Sequence, residues 1–202
     1  MQTEITITGN AARMYRAATV VRGILKAFDV PCEIAGGFVR DVIFGIEPKD
    51  IDIVVPSDPC GKSFVEIRDI LTDYLPKGEW QLFPFYDRDI DEDRVHSVFK
   101  STVYNVDVIV YHAESCTLAI QWFDDAINML SLNPENGEVT YHAQVNTVLP
   151  MQPFLRVANK ARQEKMMDKR DNIMLTNKWY SYDGPRVFTK AFYEGFNIQR
   201  ED

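Results

Sequence analysis

Two aspartates, Asp50 and Asp52, fall in the run KDIDIVV, where polar and apolar residues alternate as in a strand that is acidic at the start of one face. With a rise of about 3.3 Å per residue, their Cα atoms stand roughly 7 Å apart on that face. Hard carboxylate oxygens so placed suit magnesium. Two magnesium ions about 4 Å apart ionise an attacking hydroxyl and neutralise a departing pyrophosphate, which is the chemistry of nucleotidyl transfer. A third acid on a neighbouring strand would complete the set, and Asp107 in YNVDVIVY is the candidate. Flanked by Val106 and Val108, it lies in an apolar strand where an unpaired carboxylate is costly and calls for a metal or a cationic partner.

Upstream, Gly36 and Gly37 follow a short apolar run. Adjacent glycines let a polyanion approach the backbone without Cβ atoms in the way, and the amides that open the next helix attract phosphate. Arg40, about one helical turn on, adds a bidentate cation. Taken singly, each piece has a plainer meaning: the glycines a turn, the aspartates a solvated strand face, Arg40 and Asp41 a helix-surface pair. Their order in one strand, turn, helix and acidic strand, with a later strand acid, points instead to a catalytic site.

The elements that must position these residues are legible from periodicity. A helix is expected from Asn10, as N-cap, to Phe28, then a strand over Cys32 to Ala35 and a helix over Phe38 to Phe44 closed by Gly45. Ser63 with Glu66 forms a capping box for a helix that ends before Pro76. Strands are expected over Trp80 to Tyr86, Val95 to Val103 and Asn105 to Tyr111, with Asp87 to Asp93 as an acidic loop. Leu118 to Leu130 reads as strand then helix, Pro134 to Gly137 as a turn before a strand at Val139 to Tyr141, and Pro153 to about Ile173 as a basic helix. The aromatic-rich segment 176–202 receives no assignment; Trp179, Tyr180 and Tyr182 beside Lys178 and Arg186 either stack bases or dock on the core. The fold class is α+β, a mixed sheet covered by helices, with a head over residues 1–150 and a shorter C-terminal unit over 151–202.

Composition agrees with a folded enzyme. The 202 residues are 46% hydrophobic and 26% charged, which excludes disordered and fibrous classes. Lys and Arg number 22 against 30 Asp and Glu, a net charge of −8 that excludes coating nucleic acid by bulk electrostatics while allowing a local basic groove. The charge is polarised: 12 basic and 23 acidic residues precede position 151, and 10 and 7 follow. Cys32, Cys60 and Cys116 form no CxxC pair, His96, His112 and His142 are far apart in sequence, and neither a disulfide framework nor a zinc site is expected. With no signal-like start and no run of about 18 apolar residues, the expectation is a cytoplasmic protein without a membrane segment.

The segment GGFVRDVIFGIEPKDIDIVV is similar to the signature of class II CCA-adding enzymes and bacterial poly(A) polymerases, within the DNA polymerase β-like nucleotidyltransferase superfamily. FDDAINMLSLNPENGEVTY looks like that family's RDFTINA segment with its hairpin, and LRVANKAR like its LRxLRxxRF neck helix. The resemblance covers roughly residues 30–165. It implies a polymerase β-like head followed by a short neck-like helical region. It further implies that Asp50, Asp52 and Asp107 bind two magnesium ions, and that Gly36, Gly37, Arg40, Asp124, Asn128, Arg156 and Arg162 bind the nucleoside triphosphate, ATP or CTP. Departures stand beside it: Trp122 and Phe123 where the family has two arginines, Asn159 in place of the middle neck arginine, no EDxxR-like base-selecting element in KMMDKRDNIM, and too little chain after Pro153 for the tRNA-measuring helices.

Three functions follow as expectations. The first is addition of a nucleotide to an RNA 3′ end, with tRNA as a candidate acceptor, pyrophosphate as product and RNA as partner. The second is transfer of AMP or another nucleotide to a protein or small molecule. The third is a nucleotide-binding regulatory module with little turnover. Oligomeric state is not legible.

Overall fold

In the computed structural model the chain is described over residues 2–57, 62–83, 94–101, 103–149, 160–179 and 184–201. It is an α+β protein. The elements run β1 (Thr3–Ile7), α1 (Gly9–Ala27), β2 (Glu33–Ala35), α2 (Gly37–Ile43), β3 (Ile51–Pro56), α3 (Phe64–Tyr74), β4 (Trp80–Phe83), β5 (Val95–Ser101), β6 (Val106–Tyr111) and α4 (Cys116–Gln121). A 3₁₀ turn at Ala126–Asn128 precedes β7 (Leu130–Leu132), β8 (Val139–Tyr141), β9 (Thr147–Leu149), α5 (Lys160–Thr176), β10 (Arg186–Phe188), α6 (Lys190–Tyr193) and β11 (Phe196–Arg200).

Seven strands make one mixed sheet in the order β4-β5-β6-β3-β2-β7-β8, in which β3 and β6 run parallel and every other neighbouring pair antiparallel. The alternation in β3 divides its side chains between two apolar clusters. Ile51, Ile53 and Val55 join Met14, Leu25, Phe38, Ile67 and Val108 in the larger one, beneath α1, α2 and α3. Val54 joins Ala35, Val98, Tyr111, Ala119 and Ile120 in the smaller one, beside α4. Because side chains alternate, Asp52 shares the face of Val54, and Asp107 that of Ile109 and Tyr111.

The capping box forms as the sequence implies: Ser63 Oγ accepts from the Glu66 amide, and the Glu66 carboxylate accepts from the Ser63 amide at 2.7 Å. Gly45 takes the left-handed conformation, φ 68°, just beyond the C-cap Phe44 of α2. Two boundaries differ from expectation. Thr8, not Asn10, caps α1, because Gly9 already has its place inside the helix. Leu118 opens no strand; Ser115 Oγ accepts from the Leu118 amide and starts α4 instead. Within the expected Pro153 to Ile173 helix, α5 is described from Lys160 onward; residues 150–159, including Pro153, Arg156 and Asn159, lie outside the described residues.

In the unassigned segment 176–202, the described strands are placed by pairing. β10 pairs antiparallel with β9, and β11 pairs parallel with β1, so the two ends of the chain meet. Trp179 packs on Phe44 and Phe188, whose ring centroids lie 6.0 and 5.3 Å away, so the described part of the aromatic cluster docks on the core. Tyr180, Tyr182, Cys60 and the acidic run 87–93 lie outside the described residues. Cys32 and Cys116 are free and buried. Among the described residues no helix is long and apolar enough to cross a membrane.

Candidate active site

A cleft of about 250 Å³ lies on the face of the sheet that carries Asp52 and Asp107. The parallel register sets Asp52 directly opposite Asp107 on the next strand, and β5 then sets Lys100 opposite Asp107. Asp50, just before β3, also lines the cleft. Burial raises the Asp52 carboxyl to about 7, with the negative charges of Asp50 and Asp107 adding to the effect. Burial also holds Asp107 above the usual carboxylate range, although Lys100 Nζ lies 2.7 Å from its Oδ2 and opposes the rise.

Gly36 shows why the turn needs glycine. Its φ is 90°, in the region that L side chains rarely adopt, and a Cβ built there would lie 3.2 Å from Asp52 Oδ2 and 3.7 Å from the Phe123 ring. The glycine thus lets the backbone approach the carboxylate. Its amide, however, donates to Leu130 O at 2.9 Å, so that N–H is committed to the sheet and not to a phosphate.

Arg40 also departs from the expected position. Its side chain is 1% exposed, is absent from the cleft lining, and folds beneath Gly37, where it pairs with Asp41 at 2.6 Å and donates to Asn128 Oδ1. A guanidinium buried with two acceptors is a positioning group for the 3₁₀ turn that carries Asn128.

The positive wall comes from α5. Arg162, Lys165 and Lys169 line the cleft, and their spacing of three and four residues puts them on one helical face. Burial, with the nearby Arg40 cation adding to it, lowers Lys169 to about 8. Arg162 forms a forked ion pair with Asp124, through Nε at 2.6 Å and Nη2 at 3.1 Å, and this pair holds Asp124 below the usual carboxylate range against the effect of burial. Of the sequence candidates, Gly36, Gly37, Asp50, Asp52, Asp107, Asp124, Asn128 and Arg162 share the cleft; Arg156 is outside the described residues. Lys100, Lys165 and Lys169 went unread. The spacing of 162, 165 and 169 was the available signal for two of them. His96 and His112, distant in sequence, meet with ring centroids 5.1 Å apart.

No family model matches the chain, and no curated protein matches it. Solved structures do. A CCA-adding enzyme in complex with CTP is 22% identical with a TM-score of 0.42, over 59% of this chain and 28% of that one. The Thermotoga maritima CCA-adding enzyme complexed with tRNA is 21% identical with a TM-score of 0.41, over 59% of this chain and 27% of that one. An apo tRNA-processing enzyme is 21% identical with a TM-score of 0.43, over 64% and 31%. The matched region thus spans under a third of each of these proteins.

The oxygens of the cleft acids are hard donors, Asp107 Oδ1 is buried without a hydrogen-bond partner, and Asp52 is raised by its like-charged neighbours, all of which a divalent cation would relieve. Among the described residues, however, no group of three or more His, Cys, Asp or Glu side chains is arranged to hold a metal ion. Asp50, Asp52 and Asp107 nevertheless line the same cleft, with one Asp107 oxygen engaged by Lys100.

Proposed function

We propose that the chain is a metal-dependent nucleotidyltransferase that adds a nucleotide from ATP or CTP to an RNA 3′ end, tRNA being the candidate acceptor, and releases pyrophosphate. One observation carries this: acids from β3 and β6 and cations from α5 face each other across one cleft. A nucleoside triphosphate needs both walls. Residues 1–150 form the head in this proposal, and 151–202 a neck-like unit whose helix α5 brings the cations.

Asp50 and Asp52 would hold a divalent cation. When bound, such an ion supplies positive charge and Lewis acidity at the phosphate oxygens. Lys165 and Lys169 attract the β- and γ-phosphates and hold the chain of phosphates along α5. Arg162, fixed by Asp124, keeps its guanidinium plane in one orientation at the cleft wall. Gly36 keeps the cleft floor free of a side chain, so the α-phosphate and the Asp52 carboxylate can approach. The acceptor hydroxyl oxygen then bonds to the α-phosphorus as the bond from that phosphorus to the bridging oxygen breaks, the hydroxyl proton passes to solvent water, and pyrophosphate leaves with the bridging oxygen.

The experiment supplies ATP or CTP labelled at the α-phosphate, magnesium, and either tRNA lacking its terminal nucleotides or a protein mixture. Label on RNA supports the proposal. Label that stays with protein after nuclease treatment replaces it with the protein-modifying alternative, and tight nucleotide binding without any label transfer replaces it with the regulatory one.

A further inference from the structure

We propose that Lys100 takes the place of a second divalent cation, so that the acids of the cleft hold one ion, on Asp50 and Asp52, while the Lys100 ammonium serves Asp107. The inference rests on the transferase reading of the cleft and changes how its charges are supplied.

The row of side chains across three strands carries it. β5, β6 and β3 are consecutive in the sheet, and their registers put Lys100 opposite Asp107 and Asp107 opposite Asp52. All three line the cleft. Lys100 Nζ is 2.7 Å from Asp107 Oδ2, and the Asp107 side chain is only 7% exposed. Among the described residues no three donors are arranged around a metal position, as they would be if Asp107 shared ions with Asp50 and Asp52. A lysine on this strand position is not an incidental surface charge. Its backbone is fixed by the ladder, and its ammonium repels any divalent ion that would seek the same carboxylate.

The consequence is chemical. An ammonium contributes charge but has no coordination position to offer a hydroxyl, so it neutralises Asp107 without ionising the acceptor. Lys100 is therefore a positioning residue acting through Asp107.

Titration of the full chain with Mn²⁺ alone, following free Mn²⁺ by electron paramagnetic resonance, counts the ions. Wild type is expected to bind one and Lys100→Met two, while Lys100→Arg, which keeps the charge, stays at one. Two ions on wild type, or one on Lys100→Met, overturns the inference while leaving the transferase reading intact. Asp52→Asn separates the two claims: if it binds Mn²⁺ as wild type does, the acid pair is not the cation site, and both the inference and the metal dependence of the proposed function fall. Should Lys100→Met not fold, Lys100→Gln takes its place, and the wild-type count still decides.

Discussion

Arg170 on α5 lies 2.5 Å from Asp125, which directly follows Asp124, and both side chains are buried, at 3% and 0% exposure. This ion pair joins the helix that carries the cleft cations to the segment that carries Asp124 and Asn128. Asp125 also caps the 3₁₀ turn, its Oδ1 accepting from the Ile127 amide at 3.2 Å. Removing Asp125 takes a buried countercharge from Arg170. Asp125→Ala should lower stability by about 3–5 kcal/mol, measured by urea denaturation. Asp125→Asn, which keeps an acceptor for the cap, should cost less. Wild-type stability in Asp125→Asn would show that the charge pairing contributes nothing.

Asp52 gives a pH signature. Its folded-state value, about 7, is above the ordinary aspartate value of 3.8, so the folded state binds the proton more tightly than the unfolded one. Stability from this group therefore falls as pH rises from about 4 to about 7. Asp52→Asn should be more stable than wild type at pH 8 by up to about 4 kcal/mol, with the difference shrinking toward pH 4, when both are measured in a chelator. A difference independent of pH would mean that the acid is not held protonated by its surroundings.

Lys169 has the opposite sign. Its folded-state value is lowered to about 8, so between about 8 and 10.5 the unfolded state binds more protons and stability rises with pH. Lys169→Met should raise the thermal midpoint at pH 7 and weaken ATP binding about tenfold in a fluorescence titration. Unchanged ATP affinity would remove Lys169 from the triphosphate wall.

Phe188 closes the aromatic cluster at the C-terminal side, with the Phe44 and Phe192 ring centroids 5.3 and 4.7 Å away. Phe188→Ala should cost about 3–5 kcal/mol by thermal denaturation. A loss below 1 kcal/mol would show that segment 184–201 contributes little to the core.

What the sequence revealed follows from the range of each interaction. Local rules are visible: the alternation in KDIDIVV placed Asp50 and Asp52, the capping box placed α3, and Gly45 closed α2. The burial of Arg40 was not legible because its partner Asn128 is 88 residues away, and a local pattern cannot tell a guanidinium facing a cleft from one buried beneath the turn. Lys100 was missed for the same reason: its role depends on β5 pairing with β6 in one register. The tail was unreadable because β10 and β11 are defined by pairing with β9 and β1, not by their own short sequences.

Pyrophosphate release is the most direct test of the cleft as a transferase site. Purified chain, ATP or CTP, magnesium and tRNA lacking its 3′-terminal nucleotides should yield one pyrophosphate per nucleotide added, and Asp50→Asn with Asp52→Asn should reduce the rate at least a hundredfold. Equal rates from wild type and the double variant would contradict the account.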